Sequence, residues 1–124
     1  MTTILVVDDE FLVADILTFA LEDEGFVVVR ASNGRKGLDV FLRDHPSLVI
    51  TDFMMPAMNG LELARAIRKQ PEGESLPIIL MSGAQAEIAR QHGPLFAAVF
   101  DKPFNVGRLV EAVTGLVGHP GRDR

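Results

Sequence analysis

The sequence predicts an α/β fold, a five-stranded parallel sheet covered by helices on both faces. Three observations carry this. Short apolar, β-branched runs alternate with segments of helical period along the whole chain. The runs show little in-out alternation, as expected of strands buried on both faces. At 124 residues, 48% of them hydrophobic, the chain can bury one sizeable core but not two.

The elements follow in order. Residues 4–7 are an unbroken apolar strand. Residues 10–24 carry Leu12, Val13, Ile16, Leu17, Ala20 and Leu21 at helical spacing, and Gly25 closes the helix. Residues 26–31 make a second strand, and Asn33-Gly34 turns into a helix with Leu38, Phe41 and Leu42. That helix stops at His45-Pro46, because the residue before a proline is pushed out of the α region. Residues 48–51 are the third strand and 53–59 a loop. A helix over 60–69 follows, turning Leu61, Leu63, Ala64 and Ile67 inward. "PEGES" reads as a polar loop and residues 76–81 as the fourth strand. Residues 84–92 form a weak helix with Ile88 as its one large apolar side chain, and residues 97–100 a fifth strand. Asn105 caps a last helix with Val106, Leu109, Val110, Val113, Leu116 and Val117 on one face. The closing "GHPGRDR" has no periodicity, so a domain over 1–118 with a flexible tail over 119–124 is expected.

Composition narrows the function. The formal charge is −5, and no run of Lys and Arg offers a footprint for nucleic acid. Cysteine is absent, which excludes disulfides and thiolate metal sites. The N-terminus lacks a signal peptide, and no apolar stretch approaches a membrane span, so a cytoplasmic protein is expected.

In an open parallel sheet the loops at the carboxyl ends of the strands form the ligand edge. Strand one ends at Asp8-Asp9-Glu10, strand three at Asp52, strand four at Ser82 and strand five at Asp101-Lys102-Pro103. Asp8, Asp9 and Asp52 converging in one cleft repel each other and call for a cation. Hard oxygen ligands select Mg²⁺, with Mn²⁺ as a substitute. With the Lys102 ammonium and the Ser82 hydroxyl, they form a pocket for a phosphoryl group on a carboxylate nucleophile. Taken singly, the acid pair reads as a helix N-terminus, Ser82-Gly83 as a turn and Lys102 as a solvated side chain. Their joint place on one edge carries the weight.

From residue 3 to about 117 the sequence resembles the receiver domain of two-component response regulators. The resemblance rests on Asp8-Asp9 after the first strand, on "TDFMMPAMNG", on "LMSG" and on "DKPF". It implies a doubly wound, flavodoxin-like (CheY-like) three-layer sandwich with strand order 2-1-3-4-5. It also implies that Asp52 accepts a phosphoryl group from a phosphohistidine. Asp9, Asp52 and the backbone carbonyl of Met54 would then bind Mg²⁺ directly, with Asp8 acting through metal-bound water. Ser82 and Lys102 would stabilise the phosphoryl group, and the peptide before Pro103 would be cis. The donor would be a sensor histidine kinase or a histidine phosphotransfer protein. Output would go to a downstream protein, with a phosphorylation-dependent dimer as one form, and Arg108, Glu111 and Thr114 as candidate surface. The nearness of Met1 to the first strand suggests a stand-alone or N-terminal receiver.

Departures from the family pattern are specific. The family's aromatic switch position is Val99 here, with Phe100 one place later and on the opposite side of the strand. Phe96 and Phe104 are the candidates to replace it. Met54 and Ala84 cannot orient an attacking water, so a phosphorylated form that is not unusually short-lived is expected. Alternatives stand beside this reading. A pseudo-receiver would dock without being phosphorylated. An aspartyl-phosphate phosphatase would need a general acid where Met54 stands. A flavodoxin would need a glycine- and hydroxyl-rich phosphate loop where "DDE" stands, and a dinucleotide fold a G-x-G-x-x-G turn.

Overall fold

Strands β1 (Thr3–Val7), β2 (Val27–Ala31), β3 (Leu48–Asp52), β4 (Ile78–Ser82) and β5 (Ala98–Asp101) pair in the order β2-β1-β3-β4-β5. Every neighbouring pair is parallel. Helices α1 (Phe11–Asp23), α2 (Gly34–Asp44), α3 (Gly60–Arg68) and α4 (Ala86–Gln91) connect them, and α5 (Val106–Val117) follows β5. The computed structural model describes residues 2–83 and 86–120. The doubly wound fold expected from the sequence is the fold observed.

Successive strand residues face opposite sides, and so build two cores. Leu5, Val7, Val49, Ile78 and Leu80 pack with Val40 and Phe41 of α2 and Leu63 and Ile67 of α3. Ile4, Val6, Leu48, Ile50, Ile79 and Met81 pack with Ala14, Leu17 and Leu21 of α1 and Leu109 and Val113 of α5. Strands β1, β3 and β4 are buried almost throughout, which is why they read as continuous apolar runs.

The helix ends carry local signals. Asn33 and Asn105 cap α2 and α5, accepting from the N–H groups of Lys36 and Arg108. Asn59 and Glu62 form a reciprocal capping box at α3. His45 closes α2 in the left-handed region (φ 48°), just before Pro46.

Two expectations are corrected in detail. Helix α1 does not bury Leu12 or Ile16; both are exposed, with Phe11 and Phe19, and the smaller Ala14 and Thr18 face the sheet instead. The "PEGES" segment opens with a single 3₁₀ turn, Pro71–Gly73. The Arg68 guanidinium holds it by donating to the carbonyls of Gly73 and Leu76, and also to that of Leu95. A second 3₁₀ turn, Gly93–Leu95, follows the short α4. Ala84, the start of the helix expected over 84–92, and the tail beyond Pro120 lie outside the described residues.

Candidate functional site: an acidic cleft at the carboxyl edge of the sheet

Strand order reverses between β1 and β3, and the crevice above that point is where open α/β sheets take ligands. Asp8 follows β1 and Asp52 ends β3, so the two flank the crevice. Ser82 ends β4, beside β3, and Lys102 follows β5. The backbone fixes these ends further. Phe53 N–H donates to the Met81 carbonyl, and Lys102 N–H donates to the Ser82 carbonyl at 2.7 Å. Gly60 N–H donates to the Phe53 carbonyl. A Cβ at Gly60 would overlap the Asp52 carbonyl oxygen, so only glycine lets α3 start so close beneath the acid.

Lys102 is the hub. Its Nζ donates to Glu10 Oε1 at 2.7 Å and lies 3.1 Å from Asp52 Oδ1 and 3.6 Å from Asp8 Oδ2. Burial works to lower the ammonium pKa, but the Glu10 hydrogen bond and the charges of Asp52 and Asp8 override it and hold the value above the lysine norm. Asp52 Oδ1 also accepts the Phe53 N–H at 2.9 Å. Burial raises the Asp52 pKa, and Lys102 opposes the rise. Asp8 is pushed up to about 6 by its burial, against the hydrogen bond from the Glu10 N–H.

Among the described residues, two buried polar atoms have no hydrogen-bond partner, Asp8 Oδ2 and Ser82 Oγ. An orphaned acceptor and an orphaned hydroxyl in one cleft suit an occupant with both cationic and anionic parts. Carboxylate oxygens of Asp8, Glu10 and Asp52 lie within 4.8 Å of one another. This all-oxygen donor set fits a hard divalent cation such as Mg²⁺.

The other predicted residues are placed as follows. Asp9 is exposed and faces a neighbouring cavity of about 650 Å³ between α1 and α2. It lies outside the carboxylate group of Asp8, Glu10 and Asp52, although its charge contributes to the raised pKa of Asp52. Met54 is exposed in the loop after β3. The Lys102–Pro103 peptide is cis. Val99 is half-buried against the α2/α3 core, whereas Phe100 packs on the α1/α5 side. Arg108 and Glu111 are exposed on α5, and the Thr114 hydroxyl donates to the Glu111 carbonyl. Glu111 and Thr114 line a shallow groove shared with Ala20 and Asp23 of α1.

Glu10 is the residue that sequence reasoning missed. The third acid of "DDE" reads as a favourable charge at a helix start. Yet it sits at the N-cap of α1 and makes no side-chain capping bond, because its carboxylate reaches across to Lys102.

Comparison with known proteins agrees with this geometry. The sequence matches the response regulator receiver domain over residues 4–114. It is 43% identical over 88 residues, 71% of this chain and 67% of the relative, to an uncharacterized 14.6 kDa protein in the sodA1 3′ region of Leptolyngbya boryana. It is 36% identical to the alkaline phosphatase synthesis transcriptional regulatory protein SphR of Synechococcus elongatus, over 92% of this chain. The chain spans about half of that regulator's length (48%). Among solved structures, a response regulator receiver domain protein from Clostridium thermocellum superposes with TM-score 0.83 at 28% identity, covering 94% of each chain. Chemotaxis response regulator CheY4 of Vibrio cholerae superposes with TM-score 0.84 at 26% identity, covering 94% of this chain and 98% of its own. With its acids, lysine and hydroxyl gathered on one edge of a 2-1-3-4-5 sheet, this chain belongs to the response regulator receiver domain family of two-component signalling.

Proposed function

We propose that this receiver domain accepts a phosphoryl group on Asp52 from a phosphohistidine. The observation that carries the proposal is the convergence of Asp52, Lys102 and the orphaned Ser82 hydroxyl at adjacent strand ends. Asp52 Oδ1 is engaged by Lys102 and by the Phe53 N–H. Oδ2 takes no hydrogen bond from a described residue, which leaves it as the attacking oxygen. As the Oδ2–P bond forms, the bond from phosphorus to the donor's imidazole nitrogen breaks, and the imidazole keeps that electron pair. Lys102 donates to one phosphoryl oxygen and Ser82 to another.

Asp8 and Asp52, with Asp9 and the Met54 carbonyl, would hold Mg²⁺, which when bound supplies positive charge against the phosphoryl oxygens. Met54 has only a thioether and cannot protonate a leaving group, so turnover on external phosphate esters is not part of this reading. Receiver domains are in general non-enzymatic signalling modules that work with kinases or phosphotransfer proteins and with downstream targets. For this chain the donor is a sensor histidine kinase or a histidine phosphotransfer protein. The added charge is passed to a protein partner through the face around β5, α4 and α5, with Val99 in place of an aromatic switch.

Intact mass after incubation with acetyl phosphate tests the chemistry. A gain of one phosphoryl group that requires Mg²⁺ and is absent in Asp52→Ala is the expected outcome. A gain that persists in Asp52→Ala would place the acceptor elsewhere.

A further inference from the structure

Lys102 Nζ has three N–H donors, and three carboxylates surround it, at 2.7 Å (Glu10), 3.1 Å (Asp52) and 3.6 Å (Asp8). A phosphoryl group on Asp52 must compete with these acids for the ammonium; Glu10 holds it by a hydrogen bond at 2.7 Å, whereas Asp8 Oδ2 at 3.6 Å accepts none. Asp52 carries the new group itself. The Asp8 side chain is fully buried, and losing its cationic neighbour would leave a charge stranded away from water. The Glu10 side chain is 60% exposed and can return to solvent at little cost. Helix α1 also offers it a place to go, since its N-terminus has no capping side chain and no acid in its first turn.

We infer that Glu10 is the resting-state partner of Lys102, exchanged for a phosphoryl oxygen when Asp52 is phosphorylated, and that it thereby restrains phosphoryl uptake. The inference rests on the receiver reading above and adds to it a positioning residue outside the acceptor and its metal ligands. Until the exchange, Glu10 occupies the ammonium that the incoming group needs, and its charge opposes an arriving anion. Glu10 is one of the three acids whose oxygens lie close enough to share a cation, but in this role it serves Lys102 and leaves the metal to Asp8, Asp9 and Asp52.

The test combines three measurements on wild type and Glu10→Gln. The first is the rate of phosphoryl uptake from acetyl phosphate at fixed Mg²⁺, followed by intact mass. The second is the Mn²⁺ dissociation constant. The third is the NMR signal of the Lys102 side-chain N–H group without metal, visible when an ion pair slows its exchange with water. The expected result is uptake faster by roughly three- to tenfold in Glu10→Gln, a Mn²⁺ affinity changed by less than about threefold, and a Lys102 signal lost on substitution. Unchanged or slower uptake in Glu10→Gln overturns the inference. A Mn²⁺ affinity weakened about tenfold or more does so too, by making Glu10 a metal ligand. A Lys102 signal indifferent to Glu10→Gln removes the pairing itself. A wild type that takes up no phosphoryl group, with a Lys102 signal still sensitive to Glu10, overturns the receiver chemistry and leaves the pairing standing.

Discussion

Asp8 is the residue at which the cost of building this cleft is easiest to read. Its carboxyl is pushed by burial from the ordinary 3.8 to about 6. Between those values the folded state holds a proton that the unfolded chain has released, so stability falls as pH rises through the window. Above pH 6 the ionised, buried group costs on the order of 3 kcal/mol relative to its protonated form. In metal-free buffer, Asp8→Asn is therefore expected to melt above wild type at pH 7. The difference should shrink toward zero as pH is lowered to about 4. Thermal unfolding in EDTA across that range checks it, and parallel curves for the two proteins would show that Asp8 does not titrate in the window. The same residue shows what was legible from sequence. An acid directly after a fully apolar strand has few bland explanations once the strand is assigned, so Asp8, Asp52 and Lys102 stood out. Glu10 did not, because a carboxylate at a helix start is unremarkable until the fold brings it to a lysine 92 residues away.

At the scale of elements, α1 shows why periodicity fixes a helix but not always its phase. Residues 11–23 are apolar on two faces, and counting large side chains points Leu12 and Ile16 inward. The sheet takes the face with smaller groups. Ala14 and Thr18 allow a close approach, and the Thr18 hydroxyl is satisfied by the Ala14 carbonyl at 2.7 Å. Leu17 and Leu21 fill the space beside them and are fully buried, while Leu12 (77% exposed) and Phe19 (70%) face outward. Leu17→Ala is thus expected to cost about 2–5 kcal/mol in urea unfolding. Leu12→Gln and Phe19→Gln should each stay within about 0.5 kcal/mol. A Leu12→Gln cost near that of Leu17→Ala would reverse the assignment of faces. Strand ends moved for a related reason. Pro77 donates no N–H to a ladder, so β4 starts after it at Ile78 and runs on to Ser82, bringing the hydroxyl to a strand terminus.

For the whole molecule, the two layers of helices make the sheet a rigid platform, and the acids at its carboxyl edge are held together against their own repulsion. The formal charge is −5, and the described residues include no helix long and apolar enough to cross a membrane. Part of the folding free energy is thus spent on assembling Asp8, Glu10 and Asp52 around one lysine, and a divalent cation bound only by the folded state would return it. At a Mg²⁺ concentration 100 times its dissociation constant the gain is about 2.7 kcal/mol, a rise of roughly 10 °C in Tm for a domain of this size. Screening by NaCl at equal ionic strength acts on exposed charges and reaches the buried pair of Asp8 and Asp52 much less. The expected outcome is a large Mg²⁺ shift at pH 7.5 that NaCl does not reproduce, that Asp52→Asn reduces and that Glu10→Gln preserves. The shift should also fade below about pH 5, where Asp8 holds its proton in the folded state and the cation must displace it. Equal shifts from Mg²⁺ and NaCl would reduce the effect to general screening and leave the cleft without a specific cation.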